Sequence, residues 1–153
     1  MIDTLQRGTG TLMLSNTHFS MAIHVLSALA YHEGEVVGSE YLARSVGTNP
    51  SFLRGLIGRL KEAGLVETQM GKGGGTRLAR KASQISLRDV YQATESRPAI
   101  KTHECRDTSR CPVQAGMSSL LSDINGRLEK VVAAELKRTT VADLLENYIE
   151  PSA

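Results

Sequence analysis

The chain has 153 residues, 41% of them apolar and 22% charged. Those proportions are ordinary for a soluble globular protein and exclude disorder along the whole chain. The longest mainly apolar stretch, residues 19–31, is interrupted by His24 and falls short of the roughly 20 residues that a bilayer span needs, so no membrane partner is expected. The first twelve residues lack a charged region followed by an apolar one, which is the pattern of a signal peptide. Two cysteines in such a chain read as thiols, ligands or sensors in a cytoplasmic protein rather than as a disulfide framework.

Net charge is only +2, but its distribution is uneven. Between Gly38 and Lys81 eight basic residues face three acidic ones, so this segment carries +5 and the remainder −3. A basic segment in a near-neutral chain is a footprint for a polyanion; a solvated face of mixed charge is the alternative. Two Phe, four Tyr and no Trp leave too few aromatic rings for a single-strand stacking platform.

Residues 1–12 hold little apolar content and are expected to form a disordered N-terminal extension, with Met13 as a second candidate start. Apolar residues at Met21, Ala22, Val25, Leu26 and Leu29 predict a helix over 17–32. Ser20, His24, Ser27 and Tyr31 fall on its other face. Ser39 is placed to cap a short helix that Gly47 ends, by the usual preferences at helix termini. After Thr48, Asn49 is a good N-cap and Pro50 suits the first helical position. The helix predicted over 50–63 has Leu53, Leu56, Ile57 and Leu60 as its buried stripe.

Residues 65–70 and 76–80 read as two strands around Gly71-Lys72-Gly73-Gly74-Gly75. Ser86 with Asp89 makes a capping-box start for a helix to about Glu95. A polar loop over 96–111 holds both cysteines, Pro112 opens the longest helix to about Arg138, and a last short helix follows Thr140.

Short helix, tight turn, helix and two-stranded wing is the arrangement that lays its second helix in the major groove of DNA. The face opposite the leucines carries Ser51, Arg54, Gly55 and Gly58, flanked by Phe52, Arg59 and Lys61. Asn49 and Ser51 stand at the helix N-terminus, where the dipole favours phosphate. Arg54 is suited to a guanine edge. Gly55 and Gly58 each cost a helix about 1 kcal/mol against Ala, and a bare face that closes on DNA would explain them; unselected surface is the alternative. The glycine run does not match a phosphate loop, because Lys72 comes too early and no helix follows. A wing tip with Lys72, Gly73, Gly74 and Arg77 against phosphates or a minor groove fits better, beside the plainer reading of a hairpin without contacts.

The stretch NPSFLRGLIGRLKEAGLVETQMGKGGGTRLAR, residues 49–80, resembles the Rrf-two family of bacterial winged-helix regulators. Leu60-Lys61-Glu62-Ala63-Gly64-Leu65-Val66 followed by Gly71 to Gly75 carries the likeness, and residues 85–95 look like the family's next helix. The resemblance covers nearly the whole chain from Met13. It implies a mainly α fold: a winged helix-turn-helix DNA-binding domain over 13–95 with a small wing, a sensory loop over 96–111, and a dimerisation helix with a short helix over 112–153. It also implies a homodimeric transcriptional regulator, a repressor by expectation, on a double-stranded operator with dyad symmetry. The chain departs from the family at Arg54-Gly55, Met70, Lys72 and Thr76, so no known operator sequence is implied.

The family's cluster-binding members carry three cysteines before the long helix. This chain has Cys105 and Cys111, and Met117 at the third position. The resemblance thus implies iron at Cys105 and Cys111 in a [2Fe–2S] cluster, with His24 of the first helix at another ligand position. A cluster normally takes four protein ligands, so a dithiol switch with Cys111 as the more reactive thiol stands beside it, as do idle remnants. On the long helix Met117, Leu121, Ile124, Leu128 and Val131 alternate steps of four and three, a seam for a partner helix. A thiol enzyme is disfavoured because no histidine is fixed beside Cys111 and the basic wing would be unexplained. A winged-helix interaction module without DNA contacts is the remaining rival.

Overall fold

The computed structural model describes residues 17–95, 97–103 and 111–149. The expected N-terminal extension and Cys105 lie outside the described residues. The elements in chain order are α1 (Thr17–Tyr31), α2 (Ser39–Val46), α3 (Pro50–Glu62), β1 (Val66–Gln69), β2 (Gly75–Leu78), a 3-10 turn (Ala82–Gln84), α4 (Leu87–Thr94), α5 (Pro112–Leu136) and α6 (Val141–Tyr148). They divide into two compact units. One holds α1 to α4, the two strands and residues from 133 onward; the other holds residues 97–132, most of α5 among them. Among the described residues no helix is long and apolar enough to cross a membrane.

The first unit is built around α1, which packs against α2, α3, α4, α6 and β2. Ala22, Val25, Leu26 and Leu29 are buried at helical spacing, as the sequence predicts. Ser27 is buried too, against the expectation of an outward face. A helix flanked by five elements has little surface left for water. Leu42 of α2, the stripe Leu53, Leu56, Ile57 and Leu60 of α3, Leu65, Val66, Ile85 and Val90 complete one core. Val141 of α6 is fully buried in that same core. The sequence alone groups α6 with the long helix; its packing places it with α1.

Helix ends follow local chemistry, with one exception. Gly38, not Ser39, is the N-cap of α2, and no side chain caps it. Gly47 ends α2 in the left-handed region at φ 73°. Ser86 and Asp89 form the expected capping box on α4, and Thr140 and Asp143 form a second on α6. The two boxes are stitched together: Leu87 N donates to Thr139 O at 2.9 Å, Val141 N to Ile85 O at 2.9 Å, and Ser86 pairs with Thr140 as an isolated antiparallel bridge. This join fastens the chain's last helix to the start of α4.

The wing pairs β1 with β2 antiparallel, setting Glu67 opposite Arg77 and Thr68 opposite Thr76. Val37 adds one rung on the far side, exchanging two 2.8 Å backbone hydrogen bonds with Thr76. Two glycines of the tip are required by close approach. A Cβ on Gly74 would collide with Gln69 O, and one on Gly75 with Val37 O. The glycine run therefore closes a hairpin against its neighbours and leaves no phosphate cradle.

The Asp143 carboxyl accepts from Thr140 N at 2.7 Å and from Thr140 Oγ1 at 2.7 Å. The backbone N–H first, and then the hydroxyl, holds it below the usual carboxylate range. Because the shift is downward, the cap's contribution is complete above the ordinary carboxylate value and is lost as the pH falls through the lowered one. At neutral pH, Thr140→Ala should cost about 1 kcal/mol, read as a melting temperature lower by about 2–4 °C. Asp143→Asn should also melt lower at neutral pH, and its curve should converge on the parent's as the solution is acidified below about pH 4. A gap between parent and Asp143→Asn that is constant with pH would show that the carboxylate adds nothing to the cap.

Candidate nucleic-acid interface

The turn between α2 and α3 starts at Gly47 and ends at Asn49. Asn49 Oδ1 accepts from Phe52 N at 2.8 Å and so closes the first turn of α3, with Pro50 following it. That fixes Asn49 Oδ1 as the cap of α3. With Leu53, Leu56, Ile57 and Leu60 turned inward, the outward face of α3 carries Ser51, Arg54 and Gly55, all exposed, and half-buried Gly58. A Cβ at Gly55 or Gly58 would meet nothing within 4 Å. These two glycines thus leave an open surface and fill no internal gap.

Between α3 and the wing runs a groove of about 440 Å³, lined by Arg54, Gly58, Lys61, Thr68, Met70 and Gly74 among others. Lys61 Nζ donates to Thr68 Oγ1 at 3.0 Å and braces α3 against β1. Met70 is 91% exposed, an apolar side chain in the open beside basic ones. In the sequence Met70 stands out only as a departure from the family, because a single Met at a strand end carries no pattern.

The basic residues of this segment do different work. Among the described residues Arg54 and Lys72 have no hydrogen bond or ion pair, and both are exposed. Arg77 Nε and Nη2 both donate to Glu67 Oε2, at 3.2 and 3.0 Å, across the wing. Exposed ion pairs of this kind contribute at most about 1 kcal/mol, so a phosphate can compete for Arg77, but its charge is partly answered within the chain. Arg59 Nη1 donates to Thr94 O at 3.5 Å, which ties α3 to the end of α4. Arg80 donates to Gly64 O and Ala63 O at 3.1 and 3.2 Å, closing the carbonyl end of α3. Phe52 is half-buried and stacks on His18, ring centres 5.0 Å apart, so its area goes to packing α3 on α1. Gly73 is exposed and Gly74 half-buried at the wing tip, beside Lys72.

The remaining site residues are separate. His24 Nε2 and Ser45 Oγ share a 3.0 Å hydrogen bond that joins α1 to α2. Cys111 is exposed immediately before α5. Among the described residues no three His, Cys, Asp or Glu come together as a metal site. On α5, Met117, Leu121 and Ile124 are half-buried, while Leu128 and Val131 are exposed. Val113, Leu120 and Val131 are more than half exposed, at 67%, 51% and 68%. One contact here was not foreseen: Asn125 Nδ2 donates to Ile100 O at 2.9 Å and Asn125 Oδ1 accepts from Ile100 N at 2.7 Å. No sequence signal marks a side chain that pairs with backbone twenty-five residues away.

Comparison with known proteins agrees with this arrangement. The profile described as "Rrf2: Iron-dependent Transcriptional regulator" matches residues 15–147. The HTH-type transcriptional regulator IscR of Photobacterium profundum is 36% identical over 115 residues, which is 72% of this chain and 66% of that protein. Protein rrf2 of Nitratidesulfovibrio vulgaris is 29% identical over 136 residues, 88% of this chain and 89% of its own length. Among solved structures, T. potens IscR superposes with a TM-score of 0.59 at 26% identity, covering 86% of this chain and 85% of its own. CymR of B. subtilis, at 20% identity, shares the fold with a TM-score of 0.61 over 86% of this chain and 95% of its own. The regulators among them are not enzymes, and this chain belongs to the Rrf2 family of DNA-binding transcriptional regulators.

Proposed function

We propose that the chain is a cytoplasmic repressor that binds a dyad-symmetric operator as a homodimer, with α3 of each subunit in a major groove and each wing on the flanking backbone. The observation that carries this reading is the outward face of α3: Arg54, unpaired among the described residues, stands beside bare Gly55 and Gly58, and the wing tip offers Lys72, likewise unpaired among them. Arg54 reads a guanine through O6 and N7, as a planar fork can. The Ser51 hydroxyl and the Ser51 backbone N–H, the one left free in the first turn of α3, take a phosphate. Lys72, Gly73 and Gly74 follow the backbone, and Arg77 joins them by exchanging Glu67 for phosphate. Arg59 and Phe52 support the interface by orienting α3.

Removing Arg54 as Arg54→Ala should cost about 1–3 kcal/mol and relax selectivity at one base pair per half-site, whereas Lys72→Ala should weaken all sequences alike and flatten the salt slope by about one unit. Fluorescence anisotropy against an operator and its point variants reads both. An Arg54→Ala protein as selective as the parent overturns the assignment.

The partner surface is the exposed apolar side of α5. Its 25 residues make a helix of about 38 Å, and Leu120, Leu128 and Val131 stand in solvent in the single chain. Covering them with a second copy removes that area from water. The parent should sediment as a dimer at micromolar concentration, and Leu128→Glu with Val131→Glu should sediment as a folded monomer with much weaker operator binding. A parent that sediments as a monomer removes the dimer from the proposal.

The loop before α5 is the sensory element. Its donor set fits a [2Fe–2S] cluster poorly: the chain has two thiols in all, half-buried Met117 stands at the third family position, and His24 is engaged with Ser45. The thiol reading fits better. Cys105 and Cys111 give up two electrons and two protons to a peroxide, which leaves as two waters, and the sulfurs join as a disulfide. Peroxide should lower the parent's mass by about two hydrogens per chain and change its operator affinity, with neither effect in Cys105→Ser. Stoichiometric iron and visible absorbance in protein purified without air would overturn the thiol reading in favour of the cluster.

A further inference from the structure

Met70 is an apolar side chain left 91% exposed on the wing. Alternation along β1 sets the way it faces. Val66 is buried, and Thr68, two positions on, accepts from Lys61 of α3, so this series of side chains turns towards α3. Met70 is next in the series and lines the groove between α3 and the wing together with Arg54 and Lys61. The core has ended by this point of the hairpin, so Met70 stands in solvent where Val66 is packed. Of the six residues from Met70 to Gly75, only Met70 and Lys72 carry side chains. Gly71 and Gly73 take left-handed φ values of 91° and 77°, and a Cβ on either would meet nothing within 4 Å. The tip is reduced to one apolar group and one cation, with bare backbone beside them.

An exposed Met gains nothing where it stands; its area leaves water only when another surface covers it. Charge says what that surface is. Arg54 and Lys61 line the groove, Lys72 stands two positions on, and no acidic side chain is among the described residues that line it. The covering surface is therefore anionic, with an apolar recess for one slender side chain. Duplex DNA offers this combination: phosphates edge a minor groove about 6 Å wide, and its base steps open to apolar wedges, Met among them. Methionine is unbranched and polarizable, which suits an irregular gap. A cation at the same place would be drawn to the negative potential of a narrow groove; a thioether cannot use that potential. It gains only by entering between base pairs, and the cost of opening them depends on the step. Pyrimidine–purine steps such as TA unstack most readily.

We infer that Met70 is an apolar wedge that enters the minor groove beside each half-site and makes the chain prefer a pyrimidine–purine step there. The inference rests on the DNA placement proposed for α3 and the wing. Met70 makes no hydrogen bond to a base edge, so it reads deformability instead of base identity. Lys72 holds the flanking phosphate while Met70 enters, and Gly71 and Gly73 bring the tip backbone close with no Cβ in the way. This selectivity is separable from that of Arg54, which reads hydrogen-bonding groups in the major groove.

The test uses the full chain and a duplex that it selects from a random pool, with each step flanking the half-sites set in turn to TA or AA. The parent should favour TA about tenfold at one step on each side. The fluorescent base analogue 2-aminopurine at that step should brighten on binding, because the wedge unstacks it. Met70→Ala should bind the TA and AA duplexes alike and without brightening. It should keep the parent's melting temperature, since the side chain is exposed, and the parent's salt slope, since an apolar group releases no counterions. Met70→Leu retains an apolar wedge and should retain the preference. A Met70→Ala protein that still prefers TA, or a parent that prefers neither step, overturns the inference. Arg54→Ala separates the two levels: if it relaxes selectivity at its base pair while Met70→Ala changes nothing, the wedge alone is wrong. If Arg54→Ala relaxes nothing, or the parent enriches no duplex, the placement on DNA fails and the wedge with it.

Discussion

The docking of one leucine-rich stripe decides most of what this protein can do. Leu53, Leu56, Ile57 and Leu60 are buried against the rest of the core, and each buried aliphatic side chain contributes roughly 1.5–3 kcal/mol of transfer free energy. Rotating α3 by a third of a turn would bring Ser51 and Arg54 into that core, so its rotation about its axis has one solution. The outward face then needs no interactions of its own. It can carry two glycines and an arginine that is unpaired among the described residues, because the inward face holds the helix in place.

Around that helix, cations are used as braces as well as for charge. Arg80 closes the carbonyl end of α3, Lys61 ties it to β1 and Arg59 ties it to α4. Each is a modest contact at the surface; Lys61 and Arg80 link α3 to the wing, and Arg59 links it to α4. Groups that meet a polyanion need to be held at fixed separations, since phosphates on a duplex are regularly spaced. The wing is held by a different route: Gly74 and Gly75 let backbone approach backbone where any side chain would collide, and Val37 adds a rung on the far side of β2.

The second unit is organised by α5 and depends less on its own core. Its described apolar residues are half-buried or exposed in the single chain. The Asn125 side chain is the polar exception: it pairs with both backbone groups of Ile100 from the same helix that carries Leu121, Ile124 and Leu128.

Period and punctuation in the sequence are enough to determine the elements. The i, i+3, i+4 spacing of α1 and α3, Asn49-Pro50, the Ser86–Asp89 box and the glycine run each act within a few residues, and the structure repeats them nearly position for position. The family likeness is local in the same sense, being carried by residues 49–80. What only tertiary structure decided is which polar groups are already engaged. Ser27 is buried because five elements surround α1, Phe52 is used on His18, Arg77 answers Glu67 and His24 meets Ser45. α6 joins the first unit because Val141 fits beside Ile85 and Val90, and Asn125 finds Ile100 from across a loop. Each of these pairings joins residues distant in sequence, and no spacing rule along a chain encodes which distant side chain will arrive at a given surface.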